Sequence, residues 1–263
     1  MMKRGLLILL PLLGMMAVAQ LAQAGQESSK TWLDSPRDYE KILRSGEIVS
    51  MKDLGRGRNN PKKVTLKDED LTVDAVWKPI QRGRQEWGWE SYQAEVAAYK
   101  LDRLLELGMV PPTVVREIGG QMGSLQLWVT GCELYEDMQE EVPESAEWDK
   151  ELSRMKLFDS LISNGHRSSR DFMVDGQWNI VLIDHSQAFM STQELDKDRD
   201  KLPTRFDRDL VEKMKAIESM SLEIRMDRLL LRQQVDAIAM RRDALVEHVE
   251  KAIAENGEAA VFP

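Results

Sequence analysis

Three apolar, strand-like runs separated by short polar connections lie near the start of the chain and constrain its fold most strongly. They span residues 48–51, 63–66 and 71–78. Gly and Asn-Pro chemistry favours a loop at residues 55–61, and Pro79 ends the third run. Because such short connections join antiparallel neighbours, the sequence predicts an antiparallel sheet.

A capped helix follows these runs. Ser91 can cap a helix over residues 91–107, whose interior holds no Gly or Pro and which Gly108 ends. The Gly119-Gly120 turn indicates a hairpin further along. The other elements predicted in this region are a short helix at 39–43 and hairpin strands at 114–118 and 125–129.

The back half of the chain has mainly helical periodicity. After Gly131 the sequence turns acidic, which is typical of a boundary, and helical spacing of apolar residues then resumes. The elements predicted here are a helix at 146–162, a hairpin at 172–174 and 178–183, and three helices within 205–255 with breaks near 219–221 and around Ala239. We therefore predict an α+β fold with a sheet-plus-helix front lobe at 45–132 and a largely helical back lobe at 133–258, preceded by a lead-in at 25–44.

The first 24 residues have the pattern of a secretory signal peptide. Lys3 and Arg4 precede an apolar run that closes on Ala22-Gln23-Ala24. An uncleaved single-span anchor is the alternative, because the apolar run approaches the lower limit for crossing a bilayer. Cleavage after Ala24 predicts a secreted or periplasmic protein with no stable membrane insertion.

Net charge and cysteine content restrict the class of protein further. The formal charge is −9, and removing a leader with two basic and no acidic residues makes it −11. This balance argues against a nucleic-acid partner, whose binding surface is usually basic. Cys132 is the single cysteine, so no intramolecular disulfide can form. It is interpreted as a small apolar residue, with a reactive thiol as the alternative.

Polar residues that could carry chemistry follow an apolar strand. Asp184 comes directly after Val181-Leu182-Ile183, and Asp171 lies in the polar loop 164–171 just upstream. Hard carboxylate oxygens of this kind suit magnesium or manganese bridged by phosphates. Asp184 could alternatively cap a following helix or turn. His185 is interpreted as a structural residue, because no second His or Cys stands at zinc-ligand spacing.

A lysine and a glutamate in the front lobe could form an ion pair. Lys78 ends a strand and Glu95 lies one turn into the next helix, although a solvated pair is the ordinary interpretation of such residues. Upstream, the loop 55–63 combines Gly55 and Gly57 with four basic residues, including Lys62. Exposed backbone amides and cations suit a triphosphate, and a plain hairpin turn is the alternative.

In chain order these residues resemble the secreted kinase-like proteins of the four-jointed type and the phosphatidylinositol 3-/4-kinase catalytic domain. The resemblance covers about residues 48–242. Beyond the residues already named, it is carried by ELGMVPPTV (106–114), GSLQLWV (123–129), FDSLISN (158–164) and LIDHSQAF (182–189). It implies a two-lobed protein-kinase-like fold that binds ATP with Mg or Mn. Its implied ligands are Gly55, Gly57, Lys62, Lys78 and Glu95 for the nucleotide and Asp171 and Asp184 for the metal.

The chain departs from the family in its catalytic loop. The family pattern is N-x-D-R-x-x-x-N, in which the aspartate orients the acceptor hydroxyl and the last asparagine helps to hold metal. Here Asn164 and Arg167 fit, whereas His166 and Asp171 replace the aspartate and the last asparagine. A neutral imidazole can accept a proton, but it differs from a carboxylate in reach and charge. His166 and Arg167 are therefore the catalytic candidates implied by the resemblance.

Three functions remain open at this point. The first is a secreted, metal-dependent phosphotransferase that acts on an unknown acceptor. The second is a pseudokinase that binds a protein partner. His166 favours it, and so do apolar residues of the helical tail that could form a partner surface; the alternative is that these residues belong to the core. They are Met226, Leu229, Leu230, Val235 and Ile238. The third is a structural periplasmic protein that binds no nucleotide.

Overall fold

The computed structural model describes residues 28–55, 60–85, 88–192, 195 and 202–262. The predicted signal peptide at 1–24 and the phosphate-loop residue Gly57 lie outside these described residues. Within them, no helix combines the length and the apolar character needed to cross a bilayer.

The front lobe contains the predicted antiparallel sheet. Its five strands have the order β1-β2-β3-β7-β6, and every neighbouring pair is antiparallel. The strands are β1 (Glu47–Asp53), β2 (Lys62–Asp68), β3 (Leu71–Lys78), β6 (Thr113–Ile118) and β7 (Gln121–Leu127). A small hairpin that the sequence did not reveal, β4 (Gly83–Gln85) and β5 (Gly88–Glu90), follows β3.

Two helices flank this sheet. Helix α1 (Pro36–Ser45) packs Ile42 and Leu43 into a core cluster with β-strand residues such as Trp77. Helix α2 (Tyr92–Leu104) begins at the predicted cap, because the Ser91 side chain accepts a hydrogen bond from the Gln93 amide at 3.1 Å. It ends earlier than the predicted residue 107.

The early end of α2 has a physical cause. Asp102 accepts hydrogen bonds from the amides of Gly108, Met109 and Val110, at 3.1, 2.8 and 3.0 Å. These bonds fold the chain back at Glu106 and Gly108, which have φ values of 49° and 69°. Residues with positive φ cannot continue a right-handed helix.

The back lobe is largely helical, as predicted. Its elements are α3 (Tyr135–Met138), α4 (Ala146–Ile162), α5 (Arg208–Ala216), α6 (Ser219–Met226), α7 (Arg232–Asn256) and α8 (Glu258–Val261), with a sheet of order β10-β9-β8. The strands of that sheet are β8 (Cys132–Leu134), β9 (Phe172–Asp175) and β10 (Ile180–Leu182). Short 3-10 turns occur at Thr31–Leu33 and Gln139–Glu141.

One predicted helix break is misplaced. Ala239 lies inside α7, and the break falls instead between Met226 and Arg232. Leu229 is 5% exposed and packs into the core, so this connection is fixed by burial although it contains no Gly or Pro. The predicted break near 219–221 is close to the observed one between α5 and α6.

Burial decides two of the alternatives. The tail residues Met226, Leu229, Val235 and Ile238 belong to the back-lobe core, and Leu230 packs against it. They therefore form core and not a free partner surface.

Cys132 is half-buried and donates to the Ser29 hydroxyl at 3.0 Å, and burial raises the pKa of its thiol. A raised pKa leaves less thiolate, which supports the unreactive interpretation.

Candidate active site

Lys78 and Glu95 form a buried ion pair where β3 meets α2. Lys78 Nζ lies 2.7 Å from Glu95 Oε1, and the two side chains are 18% and 2% exposed. Burial alone would raise the pKa of Glu95, but the charge of Lys78 lowers it well below its usual range. Burial alone would lower the pKa of Lys78, but the charges of Asp184 and Glu95 outweigh it and raise this pKa above its usual value. Both groups are therefore charged, and the solvated-pair interpretation is wrong.

Asp184 reaches the same lysine from the back lobe. Its Oδ1 lies 3.2 Å from Lys78 Nζ, and its side chain is 51% exposed. The backbone of Asp184 has a φ of 59°, a left-handed conformation that Asp adopts more readily than most residues. Strain of this kind is concentrated at functional sites. A turn and no helix follows Asp184, so this residue caps no helix, and its Oδ1 accepts a hydrogen bond from Lys78 instead.

Arg167 is buried and makes hydrogen bonds to three separate segments of the chain. Its Nε and Nη2 bond both carboxylate oxygens of Asp159 in α4, at 2.9 and 2.8 Å. Its Nη1 donates to the carbonyl oxygens of Asp171 and Ile183, at 2.5 and 2.6 Å. The side chain is only 9% exposed. Its guanidinium thus holds together the two chain segments that carry Asp171 and Asp184.

The catalytic-loop candidates differ in exposure. Asp171 Oδ2 accepts from the amide and hydroxyl of Ser168, at 2.9 and 2.6 Å, and the Asp171 carbonyl accepts from the Ile183 amide at 3.1 Å. Asn164 is 5% exposed and donates to Asp159 Oδ1 at 2.9 Å. His166 is exposed to solvent. His166 is therefore accessible from solvent, whereas Asn164 is not.

The carboxylates fit a divalent cation that is completed by phosphate oxygens. Within the described residues, no group of three or more His, Cys, Asp or Glu side chains forms a metal site by itself. Asp184 is half-exposed, and Asp171 sits on the neighbouring chain segment. Mg²⁺ typically takes one or two carboxylates and obtains the remaining oxygens from water and substrate phosphates. Asp171 and Asp184 supply two carboxylates on neighbouring segments, a number that suits Mg²⁺, and in this structure they bond Ser168 and Lys78.

The sheet register separates the two adjacent lysines of β2. Lys62 is paired with Trp77 and Lys63 with Val76, so Lys63 shares a face with Lys78 whereas Lys62 lies on the opposite face. Lys62 lines a groove of about 1000 Å³ on that opposite face and lies 3.6 Å from Asp53. The predicted nucleotide-binding role of Lys62 thus has no support from its position.

Sequence reasoning missed Asp159. Lys63, the last residue of the predicted phosphate loop, lies on the face of the sheet that carries Lys78, but its Nζ pairs with Asp74 at 2.9 Å and lies 4.5 Å from the centre of the Trp128 ring. Asp159 lies in the segment 158–164 that carried the resemblance, but only the fold shows its contact with Arg167. Gly55 has the left-handed φ of 65° expected of a loop glycine.

His185 packs beneath this site without a hydrogen bond to its ring. It is fully buried, neither ring nitrogen has a partner, and Nδ1 lies 3.7 Å from Glu95 Oε2. Its backbone amide donates to the same Glu95 oxygen at 3.0 Å. Burial lowers the pKa of His185, so the ring is neutral in the native state. The interpretation as a structural residue agrees with this position.

We expect His185→Phe to flatten the acid side of the stability curve. Since the native pKa is lowered, the stabilising effect of the neutral ring is complete above the unfolded pKa of about 6.5 and is lost as pH falls through the native pKa. The wild-type free energy of unfolding should decline below this pH by up to about 1.4 kcal/mol per pH unit for this group. Urea titrations at pH 7.0, 6.0 and 5.0 measure the slope. The exposed control His166→Gln should keep the wild-type dependence of the free energy of unfolding on pH. If His185→Phe kept the same dependence, the prediction would be contradicted.

Solved structures share this architecture. The hydra Fam20 structure with sugar has a TM-score of 0.67 at 17% identity, covering 85% of this chain and 90% of that chain. The chain has a kinase fold. The Golgi casein kinase also has a TM-score of 0.67, at 16% identity over 89% of this chain and 79% of its own. The structure of the Golgi casein kinase with Mn/ADP bound has a TM-score of 0.67 at 14% identity, covering 93% of this chain and 85% of that chain.

Sequence comparison gives no corresponding match. No protein-family model and no curated protein matches the chain. At these identities the structural likeness confirms the predicted α+β kinase-like fold.

Proposed function

We propose that this chain is a secreted or periplasmic kinase-like protein that binds a nucleoside triphosphate and a divalent cation between its lobes and transfers phosphate to an acceptor. The observation that carries the proposal is the meeting of Lys78, Glu95 and Asp184. A strand lysine held by a helix glutamate, facing a carboxylate that can bind metal, is the arrangement with which kinases position triphosphate. The fold that the chain shares with the solved hydra Fam20 and Golgi casein kinase structures supports the same assignment.

Each residue has a specific role in this proposal. Glu95 holds the Lys78 ammonium beside the phosphates, whereas Gly55 lines the same groove as Lys62 and takes no part in this arrangement. Asp171 and Asp184 would hold Mg or Mn, and such a cation, when bound, neutralises charge on the phosphates. Arg167 acts through its grip on Asp159 and on the carbonyls of both carboxylate segments, so we assign it as a positioning residue and not as a catalytic one. His166 faces the acceptor.

A pseudokinase is the second candidate, and His166 favours it. In the motif resemblance, His166 takes the position of the aspartate that orients the acceptor hydroxyl. A protonated imidazole would bring positive charge to that position. In this alternative the protein keeps the nucleotide cleft but acts through contact with a partner.

The proposal is tested with ATP and manganese or magnesium. We expect ligand to raise the thermal midpoint of the wild type, because ligand that binds only the native state stabilises it by about 2.7 kcal/mol at 100 times its Kd. The shift should disappear in Asp184→Asn and remain in the exposed control Asp137→Asn. Asp184 has a half-exposed ion pair, so its loss should hardly change the midpoint without ligand.

Turnover separates the two candidates. Transfer or hydrolysis of labelled ATP above that of a Lys78→Ala, Asp184→Ala double variant supports the enzyme. Metal-dependent nucleotide binding without turnover supports the pseudokinase. Absence of any metal-dependent shift would refute both and leave the structural protein.

A further inference from the structure

Two polar side chains on one face of α7 hold the segment that follows Asp184. Gln234 Nε2 donates to the Phe189 carbonyl at 2.6 Å. Arg241 Nη1 donates to the carbonyls of Met190 and Thr192, at 3.1 and 2.5 Å. Gln234 and Arg241 are seven residues apart, which is about two helical turns and places them on the same face. We call this pair the carbonyl clamp.

The carbonyl clamp also holds the helix end that leads into the catalytic loop. Arg241 Nε donates to the carbonyl of Leu161, one residue before the end of α4, at 2.8 Å. The Phe189 amide donates to the Ile162 carbonyl at 2.6 Å, which ties the same two segments directly. One segment begins five residues after Asp184, and the other runs into the loop with His166. Arg241 thus connects both walls of the proposed site from behind.

Packing alone does not account for an arginine at this position. Arg241 is 1% exposed, its Nη2 has no hydrogen-bond partner, and no carboxylate of the described residues forms an ion pair with it. Burial lowers the pKa of Arg241 to about 10. A buried charge with no counter-ion among the described residues is costly, and the negative end of the α4 dipole offsets that cost only in part. The fork of donors is, however, well suited to several carbonyls at once.

We propose that Arg241, together with Gln234, is a positioning residue for the transfer site. It fixes the segment 189–192 onto the end of α4, so that Asp184 is held at a set distance from the catalytic loop. This inference rests on the proposed function, because it assigns the clamp to the metal-nucleotide site. Arg241 touches no reacting group in this role, and its effect is transmitted through backbone carbonyls.

The test compares Arg241→Lys with its sequence neighbour Arg242→Lys. Arg242 lies on the same helix, is 14% exposed and donates to the Ile217 carbonyl, which is outside the site. Two quantities are measured: the manganese concentration that half-saturates the protein with ADP, and amide hydrogen exchange in the segments 183–192 and 161–167 without ligand. Loss of residues that orient metal ligands typically weakens metal affinity by about 10- to 100-fold. We expect such a loss, with faster exchange in both segments, for Arg241→Lys only.

Several outcomes decide the proposal. Equal falls of the thermal midpoint in both variants, with unchanged manganese affinity, would show a merely structural residue and overturn it. Unchanged exchange in Arg241→Lys would overturn it even if the wild type bound no nucleotide. Failure of the wild type to bind manganese with ADP would refute the proposed function itself and, with it, the transfer role of the clamp. If Arg241→Lys does not fold, Gln234→Glu takes its place in the test. This variant removes the donor to the Phe189 carbonyl but keeps the oxygen that accepts from the Leu231 amide. It should also weaken the affinity for manganese.

Discussion

Lys78→Met is expected to lower the free energy of unfolding by about 3–5 kcal/mol, because it leaves the Glu95 carboxylate buried without its counter-ion. Glu95 is 2% exposed, and its remaining polar contacts are the amide and the neutral ring of His185. Neither contact supplies a positive charge near neutral pH. Urea denaturation at pH 7 measures the loss.

A double variant isolates the charge effect from the loss of packing. Lys78→Met with Glu95→Gln removes both charges of this pair and retains an acceptor for the His185 amide. It should therefore be more stable than Lys78→Met alone by roughly 2 kcal/mol, a typical coupling for residues in contact. Lys63→Met is the matched control, since Lys63 makes a 2.9 Å pair with Asp74 at the partly exposed end of the same sheet face. Its expected cost is at most about 1 kcal/mol. Equal losses at both lysines would contradict the assignment of a buried pair at Lys78.

His166→Asp is expected to raise phosphate transfer or ATP hydrolysis by about 10²- to 10⁴-fold, the usual contribution of a positioned acid-base group. The side chain is exposed, so the change should leave the thermal midpoint nearly unaltered. The gain should appear in kcat, because His166 is not one of the residues proposed to hold the nucleotide. Single-turnover assays with manganese and labelled ATP measure it.

The control for this variant is His166→Asn. Asparagine has nearly the shape of aspartate but cannot accept the proton, so it should give no increase. A wild-type rate equal to that of His166→Asp would show that the imidazole already performs the task. No rate in either protein, despite metal-dependent nucleotide binding, would favour the pseudokinase.

Local patterning was sufficient for most of the secondary structure. The range 146–162 predicted from apolar spacing coincides with α4, and the Ser91 cap gives the start of α2. The end of α2 was misjudged because Asp102 folds the chain back through three amides, a bond pattern that propensity does not encode. The break assigned near Ala239 failed for a related reason, since burial of Leu229 fixes the actual connection.

Candidate residues were predictable where chain order carried the signal. Lys78 and Glu95 were identified from a strand end and a helix start, and they meet as expected. Lys62 was not distinguishable from Lys63, because a shift of one residue in a strand moves a side chain to the other face. Arg167 could be matched to a motif, but its contacts with Asp159 and two carbonyls required the folded structure.

The sequence by itself determined most of the helices and strands and the order of the kinase-like motifs, because these depend on apolar period, caps and turns within a few residues. The tertiary structure decided which charged groups meet. Lys78 and Asp184 are 106 positions apart in the sequence and lie 3.2 Å from each other in the folded chain. Arg241 is likewise 80 positions from the Leu161 carbonyl it holds. Such contacts depend on sheet register and on the packing of distant helices, which no local pattern specifies.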